Sequence, residues 1–340
     1  MADALVEAVA GQPAWLVGGC VRDELLGRPV LDLDVTLADP ERAARRYGRL
    51  AGEAVFPLSE RHGAWRVVRG DGVTVDFVRL RGSLAEDLAA RDFTLNAIAV
   101  PVDGGDHVDP TGGLADLERR VLRAVSDGVF RDDPLRLLRA VRIAEELGLA
   151  IDGATEALIR RDAALVTRPA GERVLAELER LRPSGWRRLD ALGLLEPLGG
   201  DLARLDRVAG APGPALWLVA CLGQALLALP VPGELARLAR TALRATPPPD
   251  AGPRAIHRFR RAAEPWAVEA LLLAGRPELI PAVEAARAAE PAGPLLRGDE
   301  LGVPPGPEVG RLLDRVAEER AAGTISTREE ALALVRKERS

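Results

Sequence analysis

The sequence predicts an α+β protein in which a head built on a mixed sheet precedes an all-helical remainder. Up to about residue 110, short apolar runs of strand length alternate with segments of helical spacing. From about 113 onward strand patterns disappear and helical spacing takes over. Proline and glycine clusters at 212–214, 230–233, 247–253 and 304–307 then break the helices without forming a long linker.

Taken in order, Trp15, Leu16 and Val17 read as a short buried strand at 14–17. Gly18 and Gly19 turn the chain, and Val21 to Leu26 carries helical apolar spacing, predicting a helix over 19–26. A second apolar run, Val30 to Val35, is interrupted only by Asp32 and Asp34 and predicts a strand over 31–36. Further strands are expected at 54–57, 64–69, 73–79 and 95–101, with helices at 39–50 and 83–90. Beyond them helices are expected at 132–148, 153–164, 170–182 and 186–194, followed by Ala/Leu/Arg-rich helices. This divides the chain into a head (1–112), a helical neck (113–195), a helical body (196–290) and a helical tail (291–340).

Composition narrows the function. At 340 residues, with 47% hydrophobic and 29% charged residues, the chain has the make-up of a soluble globular protein. There is no run of eighteen apolar residues, so no membrane span is expected. Asp3 and Glu7 stand where a secretory leader would be basic. The two cysteines, Cys20 and Cys221, form neither a disulfide framework nor a zinc pattern, which suits a reducing, cytoplasmic setting. His62, His107 and His257 lack metal-ligand spacing, which argues against a histidine-based metallohydrolase. The net charge of −5 is unevenly spread: residues 117–188 hold fifteen Arg against twelve Asp and Glu. Lys337 is the only lysine, and the arginine excess as a whole fits a composition also rich in Ala, Gly and Pro.

Chemistry concentrates in a few stretches. Gly18 and Gly19 let the backbone approach a ligand without Cβ interference, and a helix starting there aims free N–H groups at the turn, which favours phosphate. Strand alternation puts Asp32 and Asp34 on one face, where two carboxylates repel unless a cation lies between them; hard oxygen donors suit Mg²⁺ held jointly with substrate phosphates. Asp76, set in the apolar alternation of 73–79, can take a proton from an attacking hydroxyl or complete a metal shell. Arg91 can reach a phosphate with its planar fork, and Asn96 can donate or accept at a sugar or phosphate. In 131–148, Asp132 reads as a helix N-cap, Pro134 suits the first turn and Gly148 the C-cap. Asp133, Arg136, Arg139 and Arg142 recur every three residues as a polar stripe. A carboxylate followed one turn later by a guanidinium offers acceptor and donors to the edge of a base.

Together these stretches resemble the nucleotidyltransferase superfamily that includes DNA polymerase β. The string Gly18-Gly19-Cys20-Val21-Arg22-Asp23 narrows the resemblance to the class II tRNA nucleotidyltransferases and bacterial poly(A) polymerases. Arg91-Asp92-Phe93-Thr94-Leu95-Asn96-Ala97 looks like that family's RRDFTINA motif, with Ala90 in place of its first Arg. Asp132-Asp133-Pro134-Leu135-Arg136 resembles its EDxxR motif, and Glu172-Arg173 to Glu177-Leu178 its ERxxxEL helix, expected to brace the selecting helix through ion pairs. The stretches 294–313 and 323–331 resemble the family's tail, with helix starts at Pro307 and near Ser326 placed to meet RNA phosphates.

The resemblance implies a polymerase-β-like head. Asp32, Asp34 and Asp76 would be catalytic, with Asp32 and Asp34 holding two Mg²⁺. Gly18, Gly19, Arg22, Arg91 and Asn96 would seat the triphosphate, Asp133 and Arg136 would choose the base, and Arg139 and Arg142 would approach the bound nucleotide. The implied substrates are CTP, with ATP a further candidate, and the 3′ end of tRNA, with no obligatory protein partner. Relatives that complete a CCA end carry a flexible loop before RRDFTINA. Here only Gly82 to Ala90 intervenes and reads as one helix, which points to addition of CC. A complete CCA-adding enzyme and a poly(A) polymerase are the alternatives of the same fold, and a non-catalytic RNA-binding protein is the alternative of another class.

Overall fold

The structure is a computed structural model in which residues 2–59 and 63–339 are described; His62 lies outside them. The chain divides into two compact units, Met1–Glu177 with Arg188–Pro197, and Leu178–Arg187 with Leu198–Ser340.

The first unit is built on a sheet of six strands: β1 (Ala14–Val17), β2 (Asp32–Leu37), β3 (Val55–Ser59), β4 (Ala64–Val68), β5 (Thr74–Arg79) and β6 (Ala99–Pro101). Their order is β3-β4-β5-β2-β1-β6, and β2 pairs with β5 in parallel while the other neighbours are antiparallel. Helices α1 (Ala2–Val9), α2 (Gly19–Leu25), α3 (Pro40–Ala51), α4 (Leu84–Ala89) and α5 (Gly113–Glu118) surround it. The Asp39 side chain caps α3 by accepting from the Arg42 N–H, Pro40 opens it, and Gly52 closes it in the left-handed region. Val35, Leu37, Val67, Val75 and Phe77 pack on Ala43, Ala44 and Tyr47 of α3 and on Leu5 and Ala8 of α1. The period of two then turns Asp32, Asp34 and Asp76 to the opposite face of the sheet.

One expectation in the head is modified. The run expected as a strand over 95–101 begins as a 3₁₀ turn, Thr94–Asn96, and only Ala99–Pro101 is strand. The segment before Arg91 is the six-residue α4, started by a reciprocal capping box between Ser83 and Glu86.

Downstream, strands do not vanish at 113: β7 (Val121–Leu122) and β8 (Ala150–Ile151) pair in parallel. Strands of two residues are too short to register as a periodicity. The helix expected over 132–148 is broken into α6 (Val129–Asp132) and α7 (Arg136–Leu147). Asp133 is extended, with φ −142° and ψ 100°, as the ring of Pro134 demands of the residue before it. Asp132 therefore ends one helix instead of capping the next. Gly148 does close α7 in the left-handed region, with φ 62°. Next come α8 (Gly153–Asp162), capped by Asp152, α9 (Gly171–Leu178) and α10 (Pro183–Ala191).

In the second unit follow α11 (Leu205–Val208), α12 (Pro214–Leu222), α13 (Gly233–Arg244), α14 (Pro253–Ala263), α15 (Ala267–Ala274), α16 (Ile280–Ala288), α17 (Pro307–Ala321) and α18 (Arg328–Glu338). Leu312 and Val316 of α17 pack with Ala331 and Val335 of α18, around Leu296 and Leu301. The Arg254 guanidinium of α14 grips the Glu319 carboxylate of α17 through two hydrogen bonds, at 2.9 and 2.8 Å. Among the described residues no single helix is long and apolar enough to cross a membrane.

One glycine fastens the 3₁₀ turn to α5. A Cβ at Gly113 would stand 2.1 Å from the Thr94 carbonyl oxygen, a backbone atom with no freedom to move aside. Gly113→Ala is expected to destabilise the first unit by about 2 kcal/mol, as overpacking does. Urea denaturation measures it, and an unchanged midpoint would contradict the contact.

Candidate active site

β1 ends against β2 with Val17 paired to Asp34, so the turn after β1 begins beside that carboxylate. Gly18 has φ +81°, and a Cβ there would lie 2.9 Å from Nη1 of Arg91 and 3.3 Å from Oδ2 of Asp34. Both the backbone conformation and the crowding demand glycine. Gly19 opens α2 with ordinary backbone, and a Cβ there would meet nothing closer than Arg22 at 3.5 Å. No side chain caps the N-terminus of α2.

The parallel register sets Asp34 directly beside Asp76 and Asp32 beside Thr74. The Thr74 hydroxyl donates to Asp32, and Arg66, opposite Asp76 on β4, donates to both Asp76 oxygens at 2.7 Å. Burial pushes the Asp34 carboxyl above its usual range and the charges of Asp76 and Asp32 add to the rise, while Arg91 and Arg66 oppose it without cancelling it. Three carboxylates thus share this face with two guanidiniums, those of Arg66 and Arg91.

That excess suits a divalent cation. Among the described residues no three His, Cys, Asp or Glu side chains already converge as a ligand cage, since Asp76 is turned onto Arg66 and Asp32 onto Thr74. Mg²⁺ needs no such cage, because it is commonly held by one or two carboxylates together with water and phosphate oxygens. The donor pair of Asp32 and Asp34 therefore fits it.

Two arginines flank the acids. Arg91 reaches Asp87 at 3.3 Å, and its buried Nε has no partner, so the guanidinium beside Gly18 and Asp34 keeps unused donor capacity. Arg22 is more fully engaged. It donates to the Asp23 carboxylate at 2.8, 2.9 and 3.0 Å and to Oδ1 of Asn96 at 2.7 Å.

Asn96 is itself buried, and its Nδ2 donates to Oδ1 of Asp92 at 2.9 Å. Asp92 accepts through Oδ2 from Nε and Nη2 of Arg139, at 3.0 and 2.7 Å. Arg139 stands 3.8 Å from Glu177, which also binds Arg142. A continuous polar chain thus runs from the Gly-Gly turn through Arg22, Asn96, Asp92 and Arg139 to α7 and α9. Burial raises the Asp92 carboxyl, but Arg139, Asn96 and the Phe93 N–H outweigh it and hold the group below its usual range.

The selecting residues stand where α6 gives way to α7. Asp133 accepts from the Leu135 N–H at 3.1 Å and from Nη2 of Arg173 at 2.8 Å. Arg136 donates to the Ala90 carbonyl at 2.9 Å and the Val129 carbonyl at 3.4 Å. Both side chains are thus held in place, though not by each other. Arg142 departs from expectation. It is 6% exposed and tied to Glu177 and to Glu146, so its guanidinium is committed inside the protein and not directed to a nucleotide phosphate. Arg173 and Glu177 of the ERxxxEL stretch do brace the selecting turn and helix through ion pairs.

Sequence reasoning passed over Arg66 and Asp92. The alternation of β4, which buries Val67 and turns Arg66 to the acid face, carries a signal for the first. Asp92 lies in a quoted motif, but its partner Arg139 is 47 residues away, and nothing local marks that contact.

Asp92→Asn is expected to cost about 3 kcal/mol, the low end for breaking a buried ion pair, because the Arg139 side chain is one-third exposed. The sign with pH follows from the depressed value. The ionised form favours the fold, fully above about pH 4, and that contribution disappears as pH falls through the folded-state value. Urea midpoints measured from pH 7 to pH 3 should therefore converge for wild type and variant on the acid side; a constant gap would contradict the pairing.

Residues 14–123 match the poly A polymerase head domain. Over 174 residues the chain is 48% identical to the CC-adding tRNA nucleotidyltransferase of Geobacter sulfurreducens, a match covering 50% of this chain and 40% of the relative. Over 193 residues it is 46% identical to the A-adding tRNA nucleotidyltransferase of Deinococcus radiodurans, covering 54% and 44%. These matches span less than half the length of either relative. The Thermotoga maritima CCA-adding enzyme, solved in complex with tRNA, superposes with a TM-score of 0.74 at 20% identity, over 100% of this chain and 94% of that one. Residues 14–123 thus match the model of the poly A polymerase head domain, and the chain has the fold of the CCA-adding enzymes.

Proposed function

We propose that this chain is a tRNA nucleotidyltransferase that transfers CMP from CTP to the 3′ end of tRNA, adding CC. One observation carries the reading: three carboxylates share one sheet face beside a glycine turn whose approach is lined by Arg91. The names of the relatives and the tRNA-bound structural neighbour support tRNA as acceptor. The shortness of α4 and its capping box, between β5 and Arg91, support CC over complete CCA. Addition of A is the second reading, favoured by the A-adding relative. On either reading residues 1–112 are the catalytic head, 113–195 the neck, 196–290 the body and 291–340 a tRNA-contacting tail.

Asp32 and Asp34, with Asp76 beside them, are the residues that would hold Mg²⁺. When bound, it neutralises triphosphate charge and acts as a Lewis acid at the reacting phosphate. Arg91 supplies donors to the triphosphate at the Gly18-Gly19 turn, and Arg22, oriented by Asp23 and Asn96, stands behind it. The 3′-hydroxyl oxygen bonds to the α-phosphorus as the bond to the pyrophosphate oxygen breaks, and Asp76 takes the hydroxyl proton. Asp133 and Arg136 present acceptor and donors to the base. Arg139 acts through Asp92, holding α7 against the head, and Arg142 acts through Glu177, holding α7 to α9.

Asp32→Ala is expected to abolish CMP incorporation while leaving tRNA affinity within about twofold, as a lost metal ligand should. Unchanged incorporation would overturn the metal assignment. End-sequencing the product made from CTP plus ATP on a tRNA lacking its CCA should show termination after two C residues. A single added A on a tRNA ending in CC would favour the second reading, and long A tails would refute tRNA maturation. Arg136→Ala should lower C-over-U discrimination by roughly tenfold, the value of one well-placed bidentate contact. Unaltered discrimination would remove Arg136 from base selection.

A further inference from the structure

Within the first unit a second polar cleft, of about 340 Å³, is lined by Arg131, Arg161, Asp162, Ala164, Leu165 and Arg168. We infer that it is a seat for a phosphate of the acceptor RNA backbone, separate from the triphosphate site; this inference rests on the function proposed above.

The cleft is organised by one buried carboxylate. Asp162 ends α8 and is 6% exposed. Its Oδ1 accepts from Nε of Arg131 and from Nε of Arg161, both at 3.1 Å, and its Oδ2 accepts from Nη2 of Arg161 at 2.6 Å. Nη2 of Arg161 also donates to the Asp127 carbonyl at 2.7 Å. These bonds hold two guanidiniums by one edge each. The Nη1 and Nη2 groups of Arg131 and the Nη1 group of Arg161 remain available to a ligand.

Arg168, on the turn following α8, lines the same cleft, is exposed, and donates no side-chain hydrogen bond among the described residues. Three guanidiniums therefore line the cleft, two of them bound to the Asp162 carboxylate, with Asp127 the other acid whose charge acts on Arg161. The surplus is positive, and planar guanidinium forks match the tetrahedral oxygens of a phosphate. A structural ion pair alone accounts for Arg131 and Arg161 but gives no partner to Arg168.

Position ties the cleft to RNA. Arg131 is two residues before Asp133, so its backbone lies no more than ~7 Å from the base-selecting turn. A strand whose 3′ end reaches Asp133 and Arg136 has upstream phosphates within reach of this cleft. Phosphate contacts of this kind position a strand without reading its sequence.

The test uses the full chain with a tRNA lacking its CCA, and compares wild type, Arg168→Ala and Arg168→Glu. Tight binding measured over a salt series should weaken on the order of tenfold in Arg168→Glu, and the log–log salt slope should fall by about one. The KM for CTP should not change. Unaltered affinity and slope, with wild-type incorporation intact, would overturn this site while leaving the proposed function standing. A raised KM for CTP with unchanged tRNA affinity would also overturn it, since the phosphate held would then belong to the free nucleotide. Absence of incorporation by the wild type itself would bring down both readings.

Discussion

The head and the selecting helix are held together by one buried carboxylate, Asp92. A carboxylate removed from water persists in its charged form only when its oxygens are satisfied. Here the Phe93 N–H and Asn96 satisfy one oxygen and Arg139 the other. Each partner belongs to a different part of the unit: Asn96 to the turn that also orients Arg22, Arg139 to α7. Displacing either would leave charge stranded in the interior. The spacing between the phosphate-facing turn and the base-facing helix is therefore set by an interaction that tolerates little slack.

The sheet places core and acids by the same rule. Alternation along β2 and β5 sends Val35, Leu37, Val75 and Phe77 into the packing with α1 and α3, and sends Asp32, Asp34 and Asp76 the other way. A one-residue slip in register would exchange the two sets. The burial of the apolar set thus enforces the crowding of the acids. Burial first, and the charges of Asp76 and Asp32 after it, raise the Asp34 carboxyl, a cost set against the hydrophobic packing on the opposite face.

Arginine does most of the bracing. Arg142 with Glu177, Arg173 with Asp133 and Arg254 with Glu319 each tie elements distant in sequence. In the Arg254–Glu319 pair the planar fork makes two parallel hydrogen bonds, which fix orientation as well as distance. Within the arginine excess of residues 117–188, Arg131 and Arg161 share Asp162, and Arg168 lines the same cleft with no ion-pair partner among the described residues.

The sequence by itself determined the strand–glycine–helix–strand opening, the shared face of Asp32 and Asp34 and the short helical link before Arg91. These are written in local terms: a period of two, a glycine pair, a capping serine. Only the tertiary structure decided that Arg142 faces inward to Glu177, that Arg66 occupies Asp76, and that Asp92 reaches Arg139. β7 and β8 were hidden for a similar reason, since two residues hold no periodicity. Each of these outcomes depends on which side chain lies opposite once distant segments meet. Local pattern tells which way a residue faces along its own element, but burial and pairing are settled by what the other elements bring to that face.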